Sequence, residues 1–345
     1  MPITIGLMGF GRIGRNVFRL LARSEEIRIG AISDIADPEA LTYLLRYDTT
    51  FGRFEDEVRH RDGKLYTWGR EIPLLNAREP GEIRWSDYGV DYVIEATGKP
   101  RDVGALRRHL DAGARRVVLC APPTPSEHPD AYIVYGVNDR VLKPAHKVIS
   151  AASCTAHATT PALAALNDAF GVERAHLTTI HAYTNAQRLA DVPAGTNLRN
   201  SRAAAQNIIP SETNAAAVIG EVLPPMAGKL TAAALSVPVQ NGSIVDLTLW
   251  FGKAVTKDGI NEIMRSAAAG PYRAILEYLE DPIVSSDVLK SPYSSHFDSL
   301  ATMVQEGNLA KVLLWFDNSW GYANRVTDLV RLCGRQDGKL PEVRA

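Results

Sequence analysis

Two short stretches carry the residue types that do chemistry. The first is Gly9-Phe10-Gly11-Arg12-Ile13-Gly14, a GxGxxG pattern. A strand-like run at 3–8 precedes it, helical spacing at 15–23 follows it, and Asp34 closes the next strand-like run 20 residues after Gly14. Glycines at that spacing permit a tight turn and close approach of a pyrophosphate, and the helix that follows offers it free N–H groups. Asp34 would accept hydrogen bonds from ribose hydroxyls and repel a 2′-phosphate, which favours NAD over NADP. A glycine-rich strand-to-helix turn that holds no ligand is the alternative for the motif taken alone.

The second stretch is Ser153-Cys154-Thr155, where one of only three cysteines stands between two hydroxyls. It lies between a strand-like 147–149 and a helix, and the free N–H groups of a helix start stabilise a thiolate. A thiol nucleophile needs a base, and the chain has eight histidines. His181 is the best placed, because 178–183 reads as a strand ending at an irregular loop, and a histidine there can pair with the thiol and shuttle its proton. The residues alone leave a second reading open, since a lone cysteine is usually a small packing residue and a lone histidine usually structural. Cys120 and Cys333 read as packing residues, and His157 as a partly exposed histidine of a first helical turn or as a donor or cation beside Cys154.

The surrounding elements must position these groups. Strand-like runs at 27–32, 92–96 and 116–121 alternate with helical spacing at 15–23 and 103–112, which implies a doubly wound parallel sheet. Near 150 the pattern changes. A helix is expected over 159–170 with Pro161 in its first turn. Longer strand-like runs follow at 176–182, 233–239, 243–251 and 309–316, with helices at 213–222 and 257–269. The expected fold is therefore α/β, a Rossmann-like cofactor domain joined to an α+β domain with a mostly antiparallel sheet. The stretch 183–203 has no period and reads as a long ordered loop, a common place for function.

With 345 residues, 46% apolar, 22% charged and a formal net charge of −1, the chain has the make-up of a globular protein. It shows no bulk attraction for nucleic acid or an anionic membrane, no apolar stretch of spanning length, and no CxxC spacing that suggests a metal site. The first residues run into a strand without a secretory pattern, so a cytoplasmic location is expected.

Several further segments resemble the phosphorylating glyceraldehyde-3-phosphate dehydrogenases. They are GFGRIGR from Gly9, LLRYDTTFGRF from Leu44, SCT from Ser153, HAYTNAQ from His181, RAAAQNIIP from Arg202, SSHFD from Ser294 and WFDNSWGYANRV from Trp315. The resemblance implies an NAD-binding domain over 1–153 completed by a C-terminal helix over 321–335, and a catalytic domain over 154–320. It implies that Cys154 attacks an aldehyde, His181 handles the proton, hydride passes to NAD, and a thioester is released to an acceptor that is phosphate in the family. Gly9, Gly11, Arg12, Ile13, Gly14, Asp34, Thr97 and Asn318 would serve the cofactor, Asn318 by fixing the nicotinamide amide. Pro193 matches a residue common in NAD-preferring members. Ser153, Thr155, Thr184, Asn200, Thr213, Asn214 and Ser236 would line the substrate and phosphate positions. A homotetramer is implied too, because the 183–203 loop packs beside a neighbour's cofactor site in the family.

The resemblance breaks where anions would bind. The family's usual arginines are replaced by Ser236 and Asn200, the usual aspartate of its YTxDQ segment by Ala186, and a usual glycine by Asn214; His157 and Ala158 replace an asparagine and a cysteine. An ionic hydrogen bond to phosphate contributes about 1.5–3 kcal/mol, so losing two removes roughly two to four decades in kcat/KM. Arg188 or Arg199 is a replacement within reach in sequence. Three readings follow: oxidation of glyceraldehyde 3-phosphate, the same thioester chemistry on a less phosphorylated or unphosphorylated aldehyde, or a non-catalytic NAD-binding interaction protein.

Overall fold

The apolar run Ile3–Met8 is buried along nearly its whole length, as a parallel strand covered on both faces must be. In the computed structural model, which describes residues 2–99, 101–121, 123 and 127–341, it lies inside a nine-stranded sheet. Ile27–Ser33 and Tyr92–Glu95 flank it in parallel. Arg116–Leu119, Val148–Ser150 and Ala131–Tyr132 continue in parallel on one side, and Arg70–Leu75 on the other. Lys64–Thr67 and Arg59–Arg61 extend that second side antiparallel. Helices α1 (Arg12–Leu21), α2 (Pro38–Arg46) and α3 (Val103–Asp111) accompany these strands, and most of the C-terminal helix Trp320–Gln336 belongs to the same compact unit. The chain steps from Ile3–Met8 to one neighbour and later returns to the other, so a topological switch point lies just past Met8 and Glu95.

One compact unit comprises the chain up to Tyr135, Asp139–Ser153 and the stretch from Ala323 onward; the other comprises Gly136–Asn138 and Cys154–Tyr322. In the first, the C-terminal stretch is tied down by charge. Arg116 is fully buried and meets Asp337 at 2.5 Å, and the Tyr92 hydroxyl donates to the same carboxylate at 2.8 Å. Cys333 lies beside them, its thiol pushed up to about 12 by burial.

The second unit is a seven-stranded sheet in the order Ile209–Ser211, Leu230–Val237, Val172–Ala182, Ser243–Phe251, Leu309–Phe316, Ser295–Gln305, Leu276–Leu279. Four of its six pairings are antiparallel, so the expected mixed second fold is present. Burial alternates along Ser243–Phe251 and Leu309–Phe316, the mark of a sheet with one covered face. The covering helices are α4 (Cys154–Phe170), α5 (Ala215–Val222) and α6 (Lys257–Ala269).

Two expectations are corrected here. Helix α4 begins at Cys154, not at 159, so Pro161 is inside the helix rather than in its first turn. The proline forgoes one helical bond, and the hydroxyls of Thr159 and Thr160 donate back to the carbonyls of Thr155 and Ala156 at 2.8 and 2.6 Å. The turn is also held by burial, because positions 155–158 all face the interior. For the same reason His157 is buried, 2% exposed, with its ring edge-on to Tyr322 at 5.9 Å. The stretch 183–203 is irregular apart from one short turn, Leu198–Ser201.

Candidate active site

Strand Val148–Ser150 ends just before α4, and the connection is tight. Ala152 takes a φ of 52°, a left-handed conformation that costs a non-glycine residue on the order of 1 kcal/mol. Two residues later Cys154 opens the helix. His181 is the penultimate residue of Val172–Ala182. These two elements bring the side chains together: Cys154 Sγ lies 3.5 Å from His181 Nε2.

The other ring nitrogen settles the proton arrangement. His181 Nδ1 lies 2.6 Å from the Ala182 carbonyl, which can only accept, so Nδ1 carries a hydrogen and Nε2 faces the sulfur. Burial pushes the His181 pKa down, but the Cys154 sulfur and the Ala182 carbonyl outweigh it, and the net shift is upward. Phe316 closes one side edge-on at 5.9 Å. The pair has the geometry of a thiol with an oriented base.

Ser236 pairs in register with His181 on the neighbouring strand, and paired residues point to the same face of a sheet. It is 6% exposed, and its hydroxyl lies 2.9 Å from that of Ser211. Thr184 instead faces outward, its N–H donating to Gln187 Oε1 at 2.9 Å. Asn200 accepts from Gln187 Nε2 at 3.4 Å. Thr213 Oγ1 accepts from Ala215 N–H at 3.2 Å, and Asn214 precedes α5 without a side-chain cap bond. Thr155 is buried one residue after the thiol, and Ser153 is half-buried. Arg199, not Asn200, lines a surface pocket together with Ser211, Glu212, Pro210, Thr196 and Asn197. Motif spacing places the two residues side by side and does not tell them apart.

Asn318 Oδ1 accepts from the Ser243 hydroxyl at 3.0 Å. Sequence reasoning missed Ser243 and Ser211. Neither belongs to a motif, and both matter only through strands that come together in the fold.

In the first unit the GxGxxG loop sits at the switch point. Gly9 has a φ of 97°, and a Cβ there would lie 2.5 Å from Thr97 N. A Cβ at Gly14 would lie 2.2 Å from the Gly9 carbonyl oxygen, whereas one at Gly11 would meet nothing within 4 Å. Gly9 and Gly14 therefore let the backbone close on itself, and Gly11 leaves open space where a pyrophosphate can approach. Arg12 and Ile13, in the first turn of α1, are half-buried. Asp34 accepts from Phe10 N–H at 2.7 Å and from Ala36 N–H at 3.0 Å. Each carboxylate oxygen keeps a lone pair for a ribose hydroxyl.

Thr97 is held from beneath. Its hydroxyl and N–H both meet Glu95 Oε1, His109 Nε2 lies 3.5 Å from Glu95 Oε2, and Trp85 Nε1 donates to His109 Nδ1 at 2.9 Å. Sequence alone gave no sign of this buried chain. Among the described residues, no group of three His, Cys, Asp or Glu side chains is arranged to hold a metal. The open cradle at Gly11 and the carboxylate of Asp34 fit a dinucleotide.

Comparison with known proteins gives a consistent result. Residues 3–103 match the glyceraldehyde 3-phosphate dehydrogenase NAD binding domain, and residues 153–318 match the glyceraldehyde 3-phosphate dehydrogenase C-terminal domain. Glyceraldehyde-3-phosphate dehydrogenase 2 of Streptomyces avermitilis is 44% identical over 338 residues, covering 97% of this chain and 100% of the relative. The glyceraldehyde-3-phosphate dehydrogenase of Borreliella burgdorferi is 45% identical over 334 residues, 95% of this chain and 98% of the relative. That of Geobacillus stearothermophilus is 42% identical over 330 residues, 95% and 97% respectively.

Proposed function

The chain belongs to the glyceraldehyde-3-phosphate dehydrogenase family, an NAD-dependent oxidoreductase acting on an aldehyde, and on that premise we propose that Cys154 and His181 carry the chemistry through a thioester released to phosphate. The observation that supports this most directly is the 3.5 Å approach of Cys154 Sγ to a His181 ring oriented by the Ala182 carbonyl.

The steps balance as follows. The thiolate of Cys154 attacks the aldehyde carbon, a C–S bond forms, and the carbonyl oxygen takes a proton from the His181 imidazolium. His181 then withdraws that hydroxyl proton as the C–H bond gives up a hydride. NAD, when bound, supplies the hydride acceptor. The product on the enzyme is an acyl thioester, which conserves the oxidation energy for group transfer. A phosphate oxygen attacks the acyl carbon, the C–S bond breaks, and the thiolate returns to its place beside His181. Gly9, Gly11, Arg12, Ile13, Gly14, Asp34 and Thr97 hold the dinucleotide in this reading, and Asn318 holds its carboxamide.

Glyceraldehyde 3-phosphate is the aldehyde that family membership favours. A second reading, an aldehyde with less phosphate or none, is favoured by Ser236, a neutral and buried side chain already paired with Ser211 beside His181. Arg199 lines the pocket that contains Ser211 and is the cation this reading offers to an anionic acceptor. Thr155, Ser153 and Thr213 are the hydroxyls that the resemblance assigns to the phosphate positions.

A homotetramer fits the surface. Leu189, Leu198 and Ile208, on and beside the 183–203 loop, are 89%, 79% and 66% exposed, apolar side chains that a partner copy would cover. No helix among the described residues is long and apolar enough to cross a membrane, and three free thiols fit the reducing cytoplasm.

The test is intact-protein mass spectrometry after mixing the chain with NAD and aldehyde in the absence of phosphate. The expected result is one acyl group, mapped to Cys154 by peptide digestion and discharged on adding phosphate. An unmodified protein, or an adduct on Cys120 or Cys333, sinks the proposal.

A further inference from the structure

Ser243 opens the strand Ser243–Phe251 and is 1% exposed. A buried hydroxyl must find partners, and this one has two. Its oxygen accepts from the Ala182 N–H at 3.0 Å, and its hydrogen is donated to Asn318 Oδ1 at 3.0 Å. Ala182 is also the residue whose carbonyl, in the next peptide unit, accepts from His181 Nδ1–H. One hydroxyl thus stands between the residue whose carbonyl orients the imidazole and the amide of Asn318.

The backbone around Asn318 is otherwise fixed. The buried carboxylate of Asp317 accepts from the N–H groups of Ser319, Trp320 and Lys290 at 2.8, 2.6 and 3.0 Å, and from Asn241 Nδ2 at 3.1 Å. What remains free at Asn318 is which end of its side-chain amide turns outward. With Oδ1 engaged by Ser243, the outward group is the Nδ2–H₂ donor.

We propose that Ser243 is a positioning residue that sets the polarity of Asn318, so that Asn318 recognises the carboxamide of the cofactor through its carbonyl oxygen and not through its N–H₂. The proposal rests on the reading that Asn318 holds that carboxamide. It makes the oxygen acceptor, rather than the amide as a whole, the feature selected.

The test measures binding by calorimetry on the full chain, with NAD, its 3-acetylpyridine analogue and its thionicotinamide analogue. The acetylpyridine analogue keeps the carbonyl oxygen and lacks the N–H₂; the thionicotinamide analogue has a poor sulfur acceptor. The wild type is expected to bind NAD and the acetylpyridine analogue alike and the thio analogue about 5–10-fold more weakly. Ser243→Ala is expected to weaken NAD by about 10-fold and to erase the difference among the three. Ser243→Cys, which keeps a weak donor in place, is expected to fall between and serves if the alanine variant does not fold. Asn318→Ala separates the two claims. Unchanged discrimination in Asn318→Ala overturns the reading of Asn318 itself. Lost discrimination in Asn318→Ala with unchanged discrimination in both Ser243 variants overturns the role of Ser243 alone.

Discussion

Replacing Ser236 with arginine tests whether the neutral side chain beside His181 limits the choice of aldehyde. Ser236 sits in register with His181 and is bonded to Ser211 at 2.9 Å. The substitution gives up that neutral hydrogen bond, at a cost of about 0.5–1.5 kcal/mol. It adds a charged donor for a phosphate, a contribution of about 1.5–3 kcal/mol. The cost of the lost bond falls on both substrates alike and drops out of their ratio, so the ratio should shift toward the phosphorylated substrate by about 1.5–3 kcal/mol, or roughly 10–150-fold. The assay is initial-rate NADH formation with glyceraldehyde 3-phosphate and with glyceraldehyde, read as the ratio of the two kcat/KM values. Taking the ratio cancels differences in active fraction between the wild type and Ser236→Arg. An increase of this size supports Ser236 as the residue that removed an anion contact. A ratio that stays the same or falls refutes it, and means that another cation, with Arg199 the first candidate, already holds the phosphate.

The remaining predictions concern the dyad and the frame that carries it. His181 titrates above an ordinary histidine because the Cys154 sulfur and the Ala182 carbonyl outweigh burial; in Cys154→Ser the sulfur is gone, burial weighs more, and the pKa read by NMR should drop. The stability linked to this raised pKa is present at low pH and is lost as pH rises through the folded value, so the high-pH fall in a urea-unfolding series should flatten in that variant. His181→Asn should lower the rate of acyl formation on Cys154 by about 10²–10⁴, with NAD affinity by calorimetry unchanged. In Asp337→Asn the buried Arg116 loses its counter-ion, and chemical denaturation should show a loss of about 3–5 kcal/mol. Burial pushes the Asp337 carboxyl up, but the bonds from Arg116 and Tyr92 hold it below the usual range. Its contribution is therefore present above the ordinary carboxylate range and lost as acid protonates it in the folded state.

The parts of the fold that depend on local spacing were legible in the sequence. GxGxxG, the strand before it and Asp34 lie within a few tens of residues, and glycine freedom has a recognisable signature there. The parts that depend on register were not. Ser211 and Ser236 meet only because Ile209–Ser211 pairs with Leu230–Val237, and Ser243 reaches Asn318 across a separation of 75 residues. Helix α4 was misjudged because Pro161 read as a start signal. The interior turn survives through burial and through hydroxyl bonds from Thr159 and Thr160, neither of which periodicity reveals. The departures at 200 and 236 were visible as residue types, but that Arg199 rather than Asn200 lines the Ser211 pocket appears only once the 183–203 loop has a shape.

The central claim is that Cys154 and His181 oxidise an aldehyde with NAD and pass the acyl group to phosphate. The most direct measurement is steady-state NADH formation by the purified chain with glyceraldehyde 3-phosphate, with and without inorganic phosphate. The account predicts turnover that requires phosphate and disappears in Cys154→Ser. Turnover that is independent of phosphate, or that persists without the Cys154 sulfur, would contradict it.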